Sequence, residues 1–137
     1  MARQKKLDKT YMAIAYDISL LSVSNRRAVG SVIVKNNNIL SFGFNGTPSG
    51  MDNKCENKIT GLTLPHVLHA ESNAIAKVAQ STQSSSGAVL YTTLSPCMEC
   101  AKLIIQAGII RVVYSDVYKN TDGLTLLKEC NVIIDVI

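Results

Sequence analysis

Apolar residues recur along the chain with two spacings, one typical of helices and the other typical of strands. Over residues 7–21 they return every three or four positions, which predicts an amphipathic first helix. Two short apolar runs, 29–34 and 39–44, lie on either side of the polar stretch 35–38, whose asparagines tolerate left-handed backbone conformations. The pattern therefore predicts a helix followed by a β-hairpin.

The rest of the chain predicts an irregular segment and then alternating helices and strands. Residues 47–66 follow neither spacing, and loops of that length in a compact domain are commonly functional or mobile. The pattern predicts helices at 68–79, 96–107 and 123–129, and strands at 88–92, 109–114 and 132–136. Strand–helix–strand connections favour parallel pairing beside the antiparallel hairpin. We therefore expect an α/β fold, a three-layer α/β/α sandwich with a mixed five-stranded sheet.

Length and composition narrow the class of protein. With 137 residues and 47% hydrophobic content, the chain can bury one ordinary core, so we expect a single domain spanning residues 1–137. Its apolar runs fall short of the ~20 residues that span a bilayer, and its amino terminus lacks an apolar signal core, which predicts a cytoplasmic protein without a membrane segment. The net charge is +4, but the basic residues do not form a stripe interleaved with aromatic residues, as they often do in nucleic-acid-binding proteins. We therefore expect no nucleic-acid partner, and a small anionic ligand fits the charge better.

The residues that carry chemistry stand in two short motifs, His69-Ala70-Glu71 and Pro96-Cys97-Met98-Glu99-Cys100. Imidazole and thiolate are ligands of Zn2+, and three protein ligands leave a fourth position for water, whose pKa the metal lowers to about 7. We therefore predict that His69, Cys97 and Cys100 bind zinc and that Glu71 shuttles protons during catalysis. The two intervening residues let one helical turn present both sulfurs, and Pro96 fits the start of that helix.

Other interpretations of these residues are possible. Cys97 and Cys100 alone would fit a redox pair, although that leaves the histidine, the glutamate and the proline unexplained. A closed structural zinc site would need Glu71 as its fourth ligand. Cys55 and His66 supply only two of the four ligands that a second, structural zinc requires, and Cys130 is interpreted as a small buried apolar residue. The cysteines are expected to be reduced thiols.

The sequence also shows a resemblance to a known family over nearly its whole length. Four blocks carry it, in order along the chain, and the last includes the first of the two motifs: residues 25–34, 43–50, 52–56 and 69–75. They resemble the deoxycytidylate (dCMP) deaminase family, within the cytidine deaminase superfamily. One departure is Phe44, which stands where the family's Gly-Tyr-Asn-Gly block carries tyrosine. The resemblance implies hydrolysis of dCMP to dUMP and ammonia, which feeds dTTP synthesis. Deaminases of other cytosine nucleosides or of transfer-RNA adenosine, and a non-catalytic zinc module, are the alternatives.

The resemblance also implies a set of substrate contacts. Asn45 occupies the position of an amide that hydrogen-bonds the sugar hydroxyl, the Ala70 N–H holds the base carbonyl, and the Ser95 carbonyl accepts from the amino group. A nucleotide enzyme additionally needs cationic or N–H donors for the phosphate. Arg26 is the first candidate, because guanidinium binds phosphate at two points, and the others are Ser24, Arg27, Tyr118 and Lys119.

A second nucleotide site is implied by the glycine-rich segment of the resemblance. Many members of the family are hexamers that dCTP activates and dTTP inhibits. We accordingly expect a homohexamer with a regulatory nucleotide at a subunit interface, where Mg2+ would accompany the triphosphate. The residues assigned to this site are Asn45, Gly46, Thr47, Pro48 and Gly50, although backbone of this kind also suits an ordinary tight turn.

Overall fold

The computed structural model describes residues 2–137 as four helices and five strands. In chain order these are α1 Ala2–Ser19, β1 Gly30–Lys35, β2 Asn38–Phe44, α2 Ala70–Ala79, β3 Val89–Leu94, α3 Met98–Gln106, β4 Arg111–Asp116, α4 Asp122–Glu129 and β5 Ile133–Val136. The predicted elements are all present, with ends that shift by a few residues. No helix within residues 2–137 combines the length and the apolar character needed to cross a membrane.

The five strands form one mixed sheet in the order β2-β1-β3-β4-β5. Strand β1 runs antiparallel to both β2 and β3, whereas β3, β4 and β5 are parallel to one another. Asn36 and Asn37 adopt positive φ in the tight turn between β1 and β2. The structure thus confirms the mixed five-stranded sheet that the hairpin and the two crossovers predicted.

Helices cover both faces of the sheet. Alternate residues of β1 point to opposite sides, so that Val32 packs with Tyr11 and Ala15 of α1, while Ile33 joins the core beneath α2, α3 and α4. Along β3, Leu90 likewise packs in the core beneath α2, α3 and α4, and Tyr91 packs in the core beneath α1. This arrangement is the expected three-layer sandwich, with α1 alone on one face.

A buried carboxylate ties α1 to the sheet. Asp8, which is 6% exposed, accepts hydrogen bonds from Arg111 Nη1 and Nη2 at 3.0 and 2.8 Å and from the Tyr91 hydroxyl at 2.7 Å. Arg111 also donates from Nε to Asp135 Oδ2 at 2.7 Å. The Arg111 hydrogen bonds are the largest cause of a fall in the Asp8 pKa to about 2.

The two helix starts next to the predicted metal ligands differ from the sequence prediction. Helix α2 begins at Ala70 rather than at 68, because the Leu68 N–H and carbonyl bond to the carbonyl and N–H of Gly46 at 2.7 and 3.1 Å. Helix α3 begins at Met98, so Pro96 precedes the helix rather than starting it, since Cys97 keeps an extended conformation. In both cases the residue that ends the extended segment is a predicted metal ligand.

Candidate active site

The predicted metal ligands lie at the amino ends of two neighbouring helices. His69 is the N-cap residue of α2, and Cys97 is the N-cap residue of α3, with Cys100 in the first turn of that helix. His69 Nδ1 lies 3.3 Å from the Cys100 sulfur and 3.4 Å from the Cys97 sulfur. Within residues 2–137 these are the three side chains whose ligand atoms cluster, all within 4.8 Å of one another.

The spacing of these atoms fits a tetrahedral zinc ion. Zinc binds imidazole nitrogen at about 2.0 Å and thiolate sulfur at about 2.3 Å, which at a tetrahedral angle separates nitrogen from sulfur by about 3.5 Å. The two nitrogen–sulfur distances, 3.3 and 3.4 Å, are close to that value. One imidazole and two thiolates therefore form a donor set that would hold zinc and leave one coordination position for another ligand.

Glu71 lies in the first turn of α2 and lines the same pocket as the predicted metal ligands His69 and Cys97. Its side chain is 4% exposed, and this burial raises the pKa of Glu71 to about 7. A carboxyl group with such a pKa can both hold and release a proton at neutral pH. We refer to His69, Glu71, Cys97 and Cys100 together as the catalytic cluster.

Close backbone packing fixes the two helix starts that carry the cluster. A Cβ atom at Gly43 of β2 would lie 2.3 Å from the Ala70 carbonyl oxygen, so β2 and α2 approach as closely as glycine allows. A Cβ atom at Gly123 of α4 would lie 2.3 Å from the Pro96 oxygen and 2.8 Å from the Cys97 oxygen. The positions of His69 and Cys97 therefore depend on glycine contacts with other elements.

One pocket of about 590 Å³ is lined by three residues of the catalytic cluster, His69, Glu71 and Cys97, and by the predicted substrate contacts. Loops and element ends from five parts of the chain form its wall: 24–29, 45, 63–71, 94–97 and 117–119. The lining includes every residue assigned to substrate binding from the sequence: Ser24, Arg26, Asn45, Ala70, Ser95 and Tyr118. Arg27 and Lys119, the further phosphate candidates, also line it. We call the three exposed cations of this lining, Arg26, Arg27 and Lys119, the cationic rim.

The two arginines of the rim differ in their partners. Arg27 Nη2 donates to Asp116 Oδ2 at 2.6 Å in an exposed ion pair. Within residues 2–137, Arg26 forms no salt bridge. Of the pair, Arg26 is the guanidinium that forms no ion pair among the described residues, although its charge is one of the causes that lower the pKa of the nearby Glu56.

Asn45 and Ser95 hold the pocket wall through their side chains. Asn45 Oδ1 accepts from the Val29 N–H at 2.9 Å, and its Nδ2 donates to the Arg27 carbonyl at 2.6 Å. One amide hydrogen and one lone pair of this side chain are left for a ligand. The Ser95 hydroxyl accepts from the Tyr118 N–H at 2.7 Å, which fixes the loop that carries Lys119.

The structure places the segment assigned to the regulatory nucleotide next to the pocket rather than inside it. Of that segment only Asn45 lines the pocket, and both backbone groups of Gly46 are paired with Leu68. Thr47 Oγ1 donates to the Asp52 carbonyl at 2.6 Å, and Gly50 takes a φ of 93°. Pro48 accepts the Met51 N–H at 3.2 Å, as in a turn.

The remaining cysteines do not build a second metal cluster within residues 2–137. Cys55 is buried and His66 is exposed, and no group of three potential ligands includes either of them. The interpretation of Cys130 as a buried residue is wrong, because it is the C-cap residue of α4, where the chain leaves the helix, and it is exposed.

Some pocket residues gave no signal in the sequence. Val29, Leu94 and Val117 are ordinary apolar residues at or beside strand ends, Thr63 lies in the irregular segment 47–66, and Val67 directly follows that segment. Glu56, in the same segment, does not line the pocket but contacts Ser24. Only tertiary contacts distinguish these side chains from other residues of their type.

Comparisons with known proteins agree with this geometry. Residues 5–116 match the family model for the cytidine and deoxycytidylate deaminase zinc-binding region. A crystal structure of dCMP deaminase from cyanophage S-TIM5, in complex with dCMP and dUMP, is similar with a TM-score of 0.94 and 43% identity, covering 96% of this chain and 97% of that chain. Deoxycytidylate deaminase of Homo sapiens is 39% identical over 127 residues, which cover 86% of this chain and 70% of the human protein. That of Enterobacteria phage T4 is 36% identical over 155 residues, which cover 83% of this chain and 80% of the phage protein.

Proposed function

The chain belongs to the family of deaminases that contain the cytidine and deoxycytidylate deaminase zinc-binding region, and on that basis we propose that it hydrolyses dCMP to dUMP and ammonia. The observation that carries the proposal is a single pocket that is lined both by His69, Glu71 and Cys97 of the catalytic cluster and by the cationic rim. The cluster supplies the chemistry of deamination, and the rim supplies a charge complementary to a nucleotide phosphate.

In the proposed reaction Glu71 transfers protons while the pocket wall holds the ring. A zinc ion bound by His69, Cys97 and Cys100 would make a water molecule acidic enough to attack at neutral pH. Glu71 takes a proton from this water as its oxygen bonds to C4 of cytosine, and passes that proton to ring nitrogen N3. It then carries the second proton of the same water to the departing amine, so that ammonia leaves and C4 becomes a carbonyl.

The substrate contacts follow from groups that the wall leaves available. The Ala70 N–H, at the first position of α2, is assigned to the base carbonyl, and the Ser95 carbonyl to the amino group. The unused amide hydrogen of Asn45 is assigned to the sugar hydroxyl. Arg26 is assigned to the phosphate, with Lys119 and Tyr118 on the other loop as further contacts.

Ammonia release from dCMP, deoxycytidine and cytidine, measured with the zinc-loaded protein, tests the proposed function. We expect kcat/KM for dCMP to exceed that for deoxycytidine by about 100-fold, because only the nucleotide engages the rim. Equal rates for dCMP and deoxycytidine would contradict the assigned specificity for the nucleotide. Turnover of transfer-RNA adenosine in preference to dCMP would indicate a different substrate class.

We further propose that the enzyme is a homohexamer regulated by dCTP as activator and dTTP as inhibitor, and that its product supplies dTTP synthesis. The support is the family membership together with the turn at residues 47–50, which lies beside Asn45 of the pocket wall. Turnover of dCMP with and without each triphosphate and Mg2+, combined with sedimentation of the protein, tests this directly. A monomer that is indifferent to both triphosphates would contradict it.

A further inference from the structure

Glu56 contacts the segment that carries the cationic rim although it does not line the pocket itself. Its Oε2 accepts from the Ser24 hydroxyl at 2.8 Å, and its two oxygens lie 3.2 and 3.3 Å from the Asn25 backbone nitrogen. Arg26 follows these two residues directly in the chain. One carboxylate therefore links the long loop after β2 to the loop before β1.

The backbone around Glu56 is itself held firmly. Glu56 and Thr63 form an antiparallel bridge, and the Leu64 N–H donates to the Cys55 carbonyl at 2.8 Å. The Cys55 side chain is 2% exposed and anchors this short ladder in the interior. Thr63, on the opposite side of the ladder, lines the pocket. The carboxylate of Glu56 is thus presented from a braced position rather than from a free loop.

A carboxylate beside an anion site needs a physical reason, because it opposes binding of a phosphate by charge repulsion. Within residues 2–137, Glu56 forms no salt bridge. The Ser24 hydroxyl and the Asn25 amide donate to it, and the backbone and charge of Arg26 also favour its ionised form. These donors, the Ser24 hydroxyl first and the Asn25 amide next, lower the pKa of Glu56, so the ionised form is the one that the loop binds.

The Ser24 hydroxyl has one proton, and in this arrangement it is directed to Glu56. It therefore cannot donate to a phosphate at the same time. The contact fixes the backbone immediately before Arg26 instead. This places Ser24 among the groups that shape the pocket rather than among the phosphate donors.

We propose that Glu56 is a positioning residue for nucleotide specificity, which fixes residues 24–26 so that Arg26 is held towards the substrate phosphate. This role rests on the proposed function, since it presumes that the substrate carries a phosphate. Glu56 touches neither substrate nor metal in it. Its effect is transmitted through the hydrogen bonds to Ser24 and Asn25.

Two substitutions separate the geometry from the charge. Glu56→Gln keeps an oxygen that can accept from Ser24 but removes the charge, whereas Glu56→Ala removes both. Steady-state kinetics with dCMP and with deoxycytidine are compared for wild type and the two variants. Glu129, an exposed glutamate at the end of α4, supplies the matched controls Glu129→Gln and Glu129→Ala.

We expect Glu56→Ala to raise KM for dCMP by about tenfold or more, with a much smaller change in kcat and in the kinetics of deoxycytidine. Glu56→Gln should stay within about threefold of wild type, and both Glu129 variants should match wild type. Hydrogen exchange at the backbone amides of residues 24–27 should accelerate in Glu56→Ala, because the acceptor for Asn25 is lost.

Three results would overturn the positioning role. Equal losses for dCMP and deoxycytidine would show a general structural role, and an unchanged KM in Glu56→Ala would show none. A lower KM for dCMP in both variants would show that Glu56 acts by repelling the phosphate. Failure of the proposed function would show separately, in the wild-type enzyme, as the lack of any preference for dCMP over deoxycytidine. That result would also contradict the positioning role of Glu56.

Discussion

His69, Glu71 and Cys97 of the catalytic cluster line the same pocket as the cationic rim, but different interactions hold the two regions in place. The cluster lies at two helix starts that pack against the backbone of Gly43 and Gly123 so closely that a Cβ atom has no room. The rim lies on exposed loops, where side-chain hydrogen bonds such as that from Ser24 to Glu56 set the geometry. We therefore expect changes in the cluster to stop the reaction for every substrate and changes in the rim to alter the choice among substrates.

The largest effect should come from Glu71→Gln. The amide cannot take a proton from water, so kcat for dCMP and for deoxycytidine should both fall by about 10³-fold or more. Zinc content, measured by atomic absorption, should remain at the wild-type level, since Glu71 is not assigned as a ligand. Glu99→Gln is the control, because Glu99 lies in the cysteine motif but has an exposed side chain, and its kcat should stay near that of wild type. Retained turnover in Glu71→Gln would remove its assigned role.

The next effect concerns the rim and should depend on the substrate. Arg26→Ala should lower kcat/KM for dCMP by about 10- to 100-fold, because a charge-assisted contact to phosphate is lost, and should affect deoxycytidine far less. Arg27→Ala is the matched comparison, since Arg27 is already paired with Asp116, and we expect a loss of about threefold or less. If the two variants exchanged these effects, the phosphate would have to be assigned to Arg27.

The two regions also differ in how far they could be predicted from the sequence. His69, Glu71, Cys97 and Cys100 stand in contiguous motifs whose residue types suit one metal, so the cluster that the structure shows was expected. The rim depends on pairs that are distant in the chain: Arg27 meets Asp116 across 89 positions. Arg26 was the first candidate from the sequence, but the physical difference between these adjacent arginines lies in the tertiary pairing of Arg27 with Asp116.

The fold shows the same division between local and distant information. The spacing of apolar residues predicted every helix and strand, because each buries one face against the sheet. It did not predict the start of α2, which is set by the pairing of Leu68 with Gly46, or the ladder that braces Glu56 within the irregular segment. Both features are backbone hydrogen bonds that involve segments in which apolar residues show neither helical nor strand spacing.

A smaller effect tests whether packing holds the cluster. Gly123→Ala lies within α4, where alanine would ordinarily stabilise a helix by up to about 1 kcal/mol. The new methyl group would instead collide with the Pro96 and Cys97 oxygens and displace the metal ligand Cys97. We expect zinc affinity to fall by about 10-fold, as measured by competition with a chelator, with equal losses for dCMP and deoxycytidine. A more stable variant with unchanged zinc affinity would show that the helix start adapts freely.

The smallest effect on catalysis should come from Asp8→Asn, which loosens the anchor of α1 and touches neither region. In the wild-type protein the ordinary Asp8 pKa of 3.8 falls to about 2, chiefly through the Arg111 hydrogen bonds. The stabilisation of the fold by ionised Asp8 is therefore complete above about pH 4 and is lost as pH falls towards 2. Urea unfolding should therefore show the variant about 2 kcal/mol less stable at pH 7, with the difference from wild type shrinking below about pH 4. The ratio of dCMP to deoxycytidine turnover should not change, because the Asp8 side chain contacts Gln4, Tyr91 and Arg111, none of which belongs to the cluster or to the rim. A shift in that ratio would mean that the rim is coupled to the scaffold, and the contrast between a packed cluster and a hydrogen-bonded rim would then no longer hold.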